Sequence, residues 1–468
     1  MKKLLYILLL LFTVVASAQQ PWYKYSPMDY AWKNVGNEGF SPAAAESICI
    51  AFSQSGEPYV TYIDSAMYGY ATTMKFDGTN WVYVGPEGFT GVYSAYPSIA
   101  FSPSGQPYVA FQRWSTMNGP ATVMKFDGSN WTPVGNPNGF SAGAAWGIDL
   151  AFSPSGVPYV AYLDLANNAR ATVMKFNGTT WVNVGNAGFS STGIDCISLA
   201  FSPSGQPYVA YPDEGTLPMH EATVMKFDGT NWVYVGPDGF SAGATNYTSL
   251  AFSPIDTLPY VAYQEYGNET YKATVMKYDG TNWVYLGNEG FSAGEADLTS
   301  LAFSPTDGEP YVAYIDGANS NKSTVMKYDG TNWVNVGSAG FSDGIIGWSL
   351  SFAFNPSDYH PYVAYKDEGD SSKATVMKYD SVYVGLKEQQ KSQFLLYPNP
   401  ASDKITIETT ATPTQSQLSI LNLNGEEVLT RSLIKPKTQI DISNLSSGVY
   451  FMRLTSDKTV EVGKFVKD

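Results

Sequence analysis

Leu199-Ala200-Phe201-Ser202-Pro203-Ser204-Gly205-Gln206-Pro207-Tyr208-Val209-Ala210-Tyr211 is one of seven copies of a single phrase in a 468-residue chain, and the phrase returns about every 50 residues. Its Pro-Tyr-Val step sets Tyr59, Tyr108, Tyr159, Tyr208, Tyr260, Tyr311 and Tyr362 in register. Each copy continues into Ala-Thr-Val-Met-Lys-(Phe/Tyr)-Asp or a close variant, and all but the last then carry Gly-Thr-Asn-Trp or a variant of it. A fixed period of this length marks an array of one supersecondary unit.

Within a copy, four short apolar runs are separated by turn residues, and none is long enough for a helix. In copy four the runs are 197–202 (strand a), 208–211 (b), 222–227 (c) and 232–236 (d). Asp228-Gly229-Thr230-Asn231 joins c to d as a hairpin turn. Strand b is apolar at successive positions, as expected where both faces are covered, so each small sheet is sandwiched between neighbours. Units of four strands stacked face to face predict an all-β chain whose repeats close into a seven-bladed β-propeller. One unit buries too little surface to fold alone, so its Tyr and Trp side chains are expected to pack between blades.

The ends of the array predict how the ring closes. Trp32-Lys33-Asn34-Val35-Gly36 reads as a d strand with no c strand before it, whereas the last copy, through Tyr379-Asp380-Ser381-Val382, has lost its Gly-Thr-Asn-Trp hairpin. Trp81, Trp131, Trp181, Trp232, Trp283 and Trp333 serve six blades, and the Trp32 strand is the expected seventh. The alternative is an open edge capped by 382–384.

At the N-terminus, Lys2 and Lys3 precede an apolar run from Leu4 to Val15 and the small-residue step Ala16-Ser17-Ala18, which reads as a signal peptide at 1–18. The run is too short to span a bilayer, so no transmembrane anchor is expected. Residues 19–31 form a lead-in, 32–385 the propeller and 386–392 a polar linker. A net charge of −15 leaves no basic stripe for a phosphate backbone, so nucleic acid is not an expected partner. Cys49 and Cys196 fall at the head of the same repeat strand in copies one and four, too far apart around a ring for a disulfide.

A second domain begins at 393. It carries Tyr397-Pro398-Asn399-Pro400-Ala401, then Leu423-Asn424-Gly425-Glu426, then Leu445-Ser446-Ser447-Gly448-Val449-Tyr450, and closes with Lys464-Phe465-Val466-Lys467. In that order these motifs resemble the C-terminal sorting domain of type IX secretion substrates of Bacteroidetes. The resemblance implies a small immunoglobulin-like β-sandwich over 393–468. It also implies export through the periplasm, recognition by the secretion translocon and its sortase, and a product released or held at the cell surface. A monomer is expected.

Comparison among the copies points to a site. In a propeller the a–b and c–d turns share one face, and the b–c and d–a loops surround the axial funnel on the other. The a–b and c–d turns repeat closely here, while the b–c loops diverge. Four residues before the central Leu of strand a stand Glu46, Ala95, Trp146, Asp195, Asn246, Asp297 and Trp348. Indole faces stack on sugar rings, and carboxylates and amides hydrogen-bond hydroxyls, so Glu46, Trp146, Asp195, Asn246, Asp297 and Trp348 suit a glycan. The carboxylates alone would suit Ca²⁺, the one ion the pattern suggests. Asp64, Asp164, Asp213, Asp316 and Asp367 close strand b, where Arg113 and Glu265 replace them, and read as turn formers.

The Asp-Gly-Thr-Asn-Trp phrase looks similar to the Asp-box of sialidase-like propellers, but its Asp and Gly are adjacent. A sialidase-like site needs three arginines, and the propeller has only Arg113 and Arg170. His220 and His360 are the only histidines, which argues against a His-rich metal centre or a Ser-His-Asp relay. The expectation is therefore a secreted or surface binding protein for a glycan or another extracellular polymer, with no recognisable catalytic constellation. A glycoside hydrolase or lyase using Asp195 with Asp297 is the first alternative, and a purely structural surface protein the second.

Overall fold

The computed structural model describes residues 29–114, 119–213, 220–267, 270–382, 394–409, 416–423, 425–455 and 460–468. The expected signal peptide, the lead-in up to 28, the linker 386–392 and Asn424 lie outside these residues. The described chain divides into two units, 29–382 and 394–468.

The first unit is a seven-bladed propeller: seven antiparallel four-stranded sheets, each ordered a-b-c-d. Blade 3 shows the pattern, with a at Ala145–Phe152, b at Pro158–Asp164, c at Arg170–Phe176 and d at Trp181–Asn183. The c–d hairpin is made by a side chain reaching back over the turn. In blade 1, Asp77 Oδ1 accepts from Thr79 N at 2.9 Å and Asn80 N at 2.8 Å, and these donors hold its carboxyl below the ordinary value. Gly78 follows at φ +99°, which only glycine adopts without strain. Strand b is buried throughout in blade 1, Pro58–Asp64, as a layer between neighbouring sheets must be.

Blade 7 takes its fourth strand from the start of the described chain. Asp29–Asn34 pairs with Lys373–Val382, opposing Trp32 to Tyr379, so the edge of the last sheet is covered by the first strand.

The repeated residues are the ring's fasteners. Each d-strand indole donates from Nε1 to a carbonyl of the preceding blade: Trp81 to Val35 O, Trp181 to Val134 O and Trp232 to Val184 O at 2.7, 2.8 and 2.7 Å. Trp32 does the same to Val336 O at 2.7 Å, closing the circle. A phenylalanine of the d–a loop stacks on each indole, as Phe140 does on Trp181 with centroids 4.3 Å apart. In strand b, Tyr162 donates its hydroxyl to the methionine of Ala-Thr-Val-Met, Met174 Sδ at 3.3 Å, and Tyr62, Tyr211, Tyr314 and Tyr365 do the same in their blades, whereas the Tyr263 hydroxyl of blade 5 has no partner among the described residues and blade 2 carries Phe111. Cys49 and Cys196 are free thiols.

The aspartates that close strand b are turn formers and more. Asp164 caps a one-turn 3₁₀ segment by accepting from Ala166 N, and its other oxygen accepts from Thr172 Oγ1 at 3.1 Å. Thr172 Oγ1 in turn accepts from Gly188 N, in the loop leading to blade 4, at 2.8 Å. This Asp–Thr–Gly relay recurs in blade 1 through Asp64, Thr72 and Gly88 and in blade 6 through Asp316, Thr324 and Gly340.

The second unit is a small β-sandwich. Phe394–Tyr397, Lys404–Thr409 and Lys437–Asp441 form one sheet; Glu427–Leu433, Ser416–Leu421, Gly448–Thr455 and Val460–Lys467 form the other. Phe394, Ile405, Leu418, Ile440, Met452 and Phe465 lie in their shared core. The terminal motifs meet: Asn399, between Pro398 and Pro400, accepts from Val466 N at 2.9 Å and donates to Lys464 O at 3.2 Å, while Ala401 N bonds Val466 O. Leu445-Ser446-Ser447-Gly448-Val449-Tyr450 turns a corner that Tyr450 Oη clamps by donating to Ser446 O at 2.9 Å. Gly425, at φ +78°, sits in the turn after Leu423.

Candidate functional site

Strand a carries a bulge at its funnel end. In blade 1, Glu46 opposes Ile63 and Cys49 opposes Thr61, leaving Ser47 and Ile48 facing one residue. Ser47, Tyr96, Gly147, Tyr247 and Leu298 take left-handed φ values of 51–54° at this point in blades 1, 2, 3, 5 and 6. Such a bulge bends the strand and re-aims the side chains around it. Tyrosine and leucine are costly there, a backbone state that persists only when its surroundings impose it.

The residues before the bulge do not form one uniform ring. Glu46, Trp146 and Asp195 are exposed, Ala95 and Asn246 half-buried, and Asp297 only 9% exposed. Trp348 departs from the sequence alignment. Blade 7 is one residue longer between Phe341 and Phe354 than its counterparts, and its bulge spans Ile346 to Leu350. Gly347 takes the place equivalent to Glu46, and Trp348 stands within the widened bulge, 69% exposed. Blade 4 differs too: its strand a shortens to Ser198–Phe201, so Asp195 lies on an unpaired stretch.

Each rim carboxylate has its own partner. Glu46 Oε1 meets Lys366 Nζ of blade 7 at 2.8 Å, and Lys366 also reaches Glu368 at 3.2 Å. Asp195 Oδ2 lies 2.9 Å from His220 Nδ1. Asp297 Oδ1 accepts from Gln264 Nε2 at 2.5 Å, and Gln264 Oε1 accepts from Asn246 Nδ2 at 3.1 Å. The structure thus joins Asn246 and Asp297 through a glutamine that the repeat comparison did not single out. Burial pushes the Asp297 carboxyl up, against the opposing Gln264 bond. Tyr247 stands between blades 4 and 6; burial raises its phenol, and the charges of Asp297 and Asp195 add to that. Among the described residues no three His, Cys, Asp or Glu side chains converge, so Glu46, Asp195 and Asp297 do not supply the oxygen cage that Ca²⁺ needs.

Strand b contributes a second rim. Gln264 and Lys366 belong to it, as does Gln112 of blade 2, which opposes Ala95. Gln112 is fully buried, and neither end of its amide has a partner among the described residues. Aromatic side chains stand on the loops of the same face: Tyr93 meets Trp114 edge-on at 6.3 Å, and Tyr266 meets Tyr271 at 4.7 Å on the long b–c hairpin of blade 5. Below the rim, Ser98, Asp149, Ser198, Ser249 and Ser351 each accept a backbone N–H from the next blade, an axial fastening without an obvious ligand role. A groove of about 360 Å³ on the opposite face, lined by Tyr208, Lys226, Phe252, Thr257 and Tyr278, lies away from all of these.

Residues 395–468 match the family described as the secretion system C-terminal sorting domain. The chain is therefore marked for export to the cell surface or the medium by the type IX machinery, which this domain engages. Among the described residues no helix is long and apolar enough to cross a membrane. No curated protein matches the chain. Solved structures of similar shape include PorZ, an essential surface component of the type IX secretion system of Porphyromonas gingivalis, at 14% identity and TM-score 0.44; the match covers 90% of this chain and 59% of PorZ. A polysaccharide lyase of family PL25, an ulvan lyase, matches at 13% identity and TM-score 0.48 over 76% of this chain and 99% of its own. An α-L-arabinanase of Penicillium chrysogenum matches at 13% and 0.41, over 62% and 93%.

Proposed function

We propose that the exported chain is a binding protein whose funnel face holds a glycan or a related extracellular polymer. The observation that carries this reading is the pairing of stacking and hydrogen-bonding groups on one face. The Trp146 indole is 40% exposed, and the Asp195–His220 and Asn246–Gln264–Asp297 groups stand on blades 4 to 6. A sugar offers an apolar ring face to the first and hydroxyls to the second. Glu46, Trp146, Asp195, Asn246, Asp297 and Trp348 are the proposed contacts, with Gln264 and His220 added.

A specific observation favours a second reading. Asp297 is buried with a raised pKa while Asp195 is held by a histidine, and two acids in unlike environments suit a hydrolase or lyase. A glycan array on the full chain, with reducing-end release and unsaturated product monitored in parallel, separates the readings. Saturable binding that Trp146→Ala weakens at least tenfold, without product, supports the binding protein. Product that Asp195→Asn/Asp297→Asn abolishes while binding survives supports the enzyme. No saturable ligand at all leaves a structural surface protein.

A further inference from the structure

The net charge of this chain is distributed unevenly around the ring. Between residues 191 and 382, blades 4 to 7 carry 23 acidic and 8 basic side chains. Between residues 88 and 190, blades 2 and 3 carry three acidic and four basic ones. None of those three acids is free at the funnel face. Asp127 caps a c–d turn on the opposite face, Asp149 accepts Leu199 N in the axial ring, and Asp164 is buried in its relay. The propeller's only two arginines, Arg113 and Arg170, both belong to this sector, at the funnel ends of strand b of blade 2 and strand c of blade 3.

Both arginines are half-buried residues, and neither guanidinium has an ion-pair or hydrogen-bond partner among the described residues. Six of the propeller's twelve lysines, Lys33, Lys75, Lys327, Lys366, Lys373 and Lys378, are in ion pairs. Arg113 stands where most other blades place the relay carboxylate, and Thr122 Oγ1 is buried there without a partner among the described residues. That substitution costs the scaffold a bond and gains it nothing internal. Next to Arg113, Trp114 and Tyr93 present an exposed aromatic edge and face.

We propose that blades 2 and 3 form a subsite for acidic groups of a polyanionic glycan, carboxylates or sulfates met by Arg113, beside the Trp114–Tyr93 platform, and by Arg170. The proposal rests on the funnel-binding reading and names its ligand class. Guanidinium presents a planar fork of donors that matches carboxylate and sulfate oxygens. At physiological salt the charge of blades 4 to 7 is screened beyond about 8 Å, so the local sign at blades 2 and 3 governs what docks there. The acidic blades would then repel the remaining anionic groups and fix the polymer's direction across the face.

The test is affinity electrophoresis of the full chain through gels containing polygalacturonate, its methyl-esterified neutral form, dextran sulfate or dextran. Retardation by polygalacturonate or dextran sulfate at a concentration at least tenfold below that of its neutral counterpart supports the subsite, and the two acidic arms tell carboxylate from sulfate. Arg113→Gln/Arg170→Gln is expected to lose about tenfold or more, whereas Lys125→Gln, which removes a charge from the opposite face of blade 2, keeps wild-type retardation. If the double Gln variant melts early, Arg113→Lys/Arg170→Lys takes its place, keeping charge but losing the fork, and should bind at an intermediate level. Equal retardation by acidic and neutral polymers overturns the acidic subsite and leaves the glycan reading standing. Retardation by none of the four overturns both.

Discussion

Trp32 Nε1 donates to Val336 O at 2.7 Å across 304 positions of sequence, and the same indole stacks on Phe341 with centroids 4.0 Å apart. One side chain near the start of the described propeller therefore repeats the fastening that Trp81, Trp131, Trp181, Trp232, Trp283 and Trp333 make between consecutive blades. Trp32→Ala should cost about 3 kcal/mol, the loss of a large aromatic plus an unpaired carbonyl. Denaturant unfolding measures it; a change below about 0.5 kcal/mol would mean the ring does not depend on this closure.

The same strand is pinned by charge. Lys33 Nζ lies 2.6 Å and Lys378 Nζ 2.8 Å from Asp380 Oδ2. Burial works to raise the Asp380 carboxyl, but the two lysine bonds prevail and hold it well below its ordinary value. A depressed folded pKa stabilises fully above the unfolded value of about 4, and that contribution fades as pH falls through the folded one. His360 Nδ1 also lies 3.4 Å from Asp380 Oδ1, so the unfolding free energies of wild type and Asp380→Asn are compared in a His360→Gln background, where their gap should stay at about 1 kcal/mol from pH 7 to 5 and narrow below pH 4. A gap that widens on acidification contradicts this assignment.

Much of the propeller was legible because its information is periodic. Seven Pro-Tyr-Val steps set the blades, and the orphan Trp32 strand set the closure. The funnel was less legible. Counting back from the central Leu of strand a placed Trp348 with Glu46, yet blade 7 has an extra residue on the bulge side; counting forward from Phe341 would have found it. The Asp195–His220 and Gln264–Asp297 bonds join residues 25 and 33 apart through loops that differ in every copy, so no repeat signal foretold them. The relay threonines were visible in every Ala-Thr-Val-Met phrase, but their partners come from two other segments and emerge only when the blades stack.

Gln112 occupies the strand-b position that Leu163 fills in blade 3, fully buried with both amide ends unpaired among the described residues. An unpaired buried amide costs about 1–3 kcal/mol. Gln112→Leu should thus raise the melting temperature, with a gain of about 1 kcal/mol by denaturant titration. Loss of stability instead would mean the amide is satisfied in solution, by ordered water for example.

Blades 2 and 3 supply an internal control for the relay. Thr172 Oγ1 donates to Asp164 and accepts from Gly188 N, joining three segments, and its loss strands a loop amide and leaves Asp164 Oδ2 with Asn167 Nδ2 as its one side-chain donor. Thr122 holds the equivalent place in blade 2, where Arg113 replaces the aspartate and the hydroxyl is buried without a partner among the described residues. The two residues share strand position and burial, so Thr→Val removes the same atom from each. Thr172→Val should cost about 1–3 kcal/mol, whereas Thr122→Val should be neutral or stabilising by up to about 1 kcal/mol, since it deletes an unsatisfied polar group. Paired denaturant curves decide it. Equal losses at both sites would show that β-branched packing, and not the hydrogen-bonded relay, is what the repeated threonine contributes.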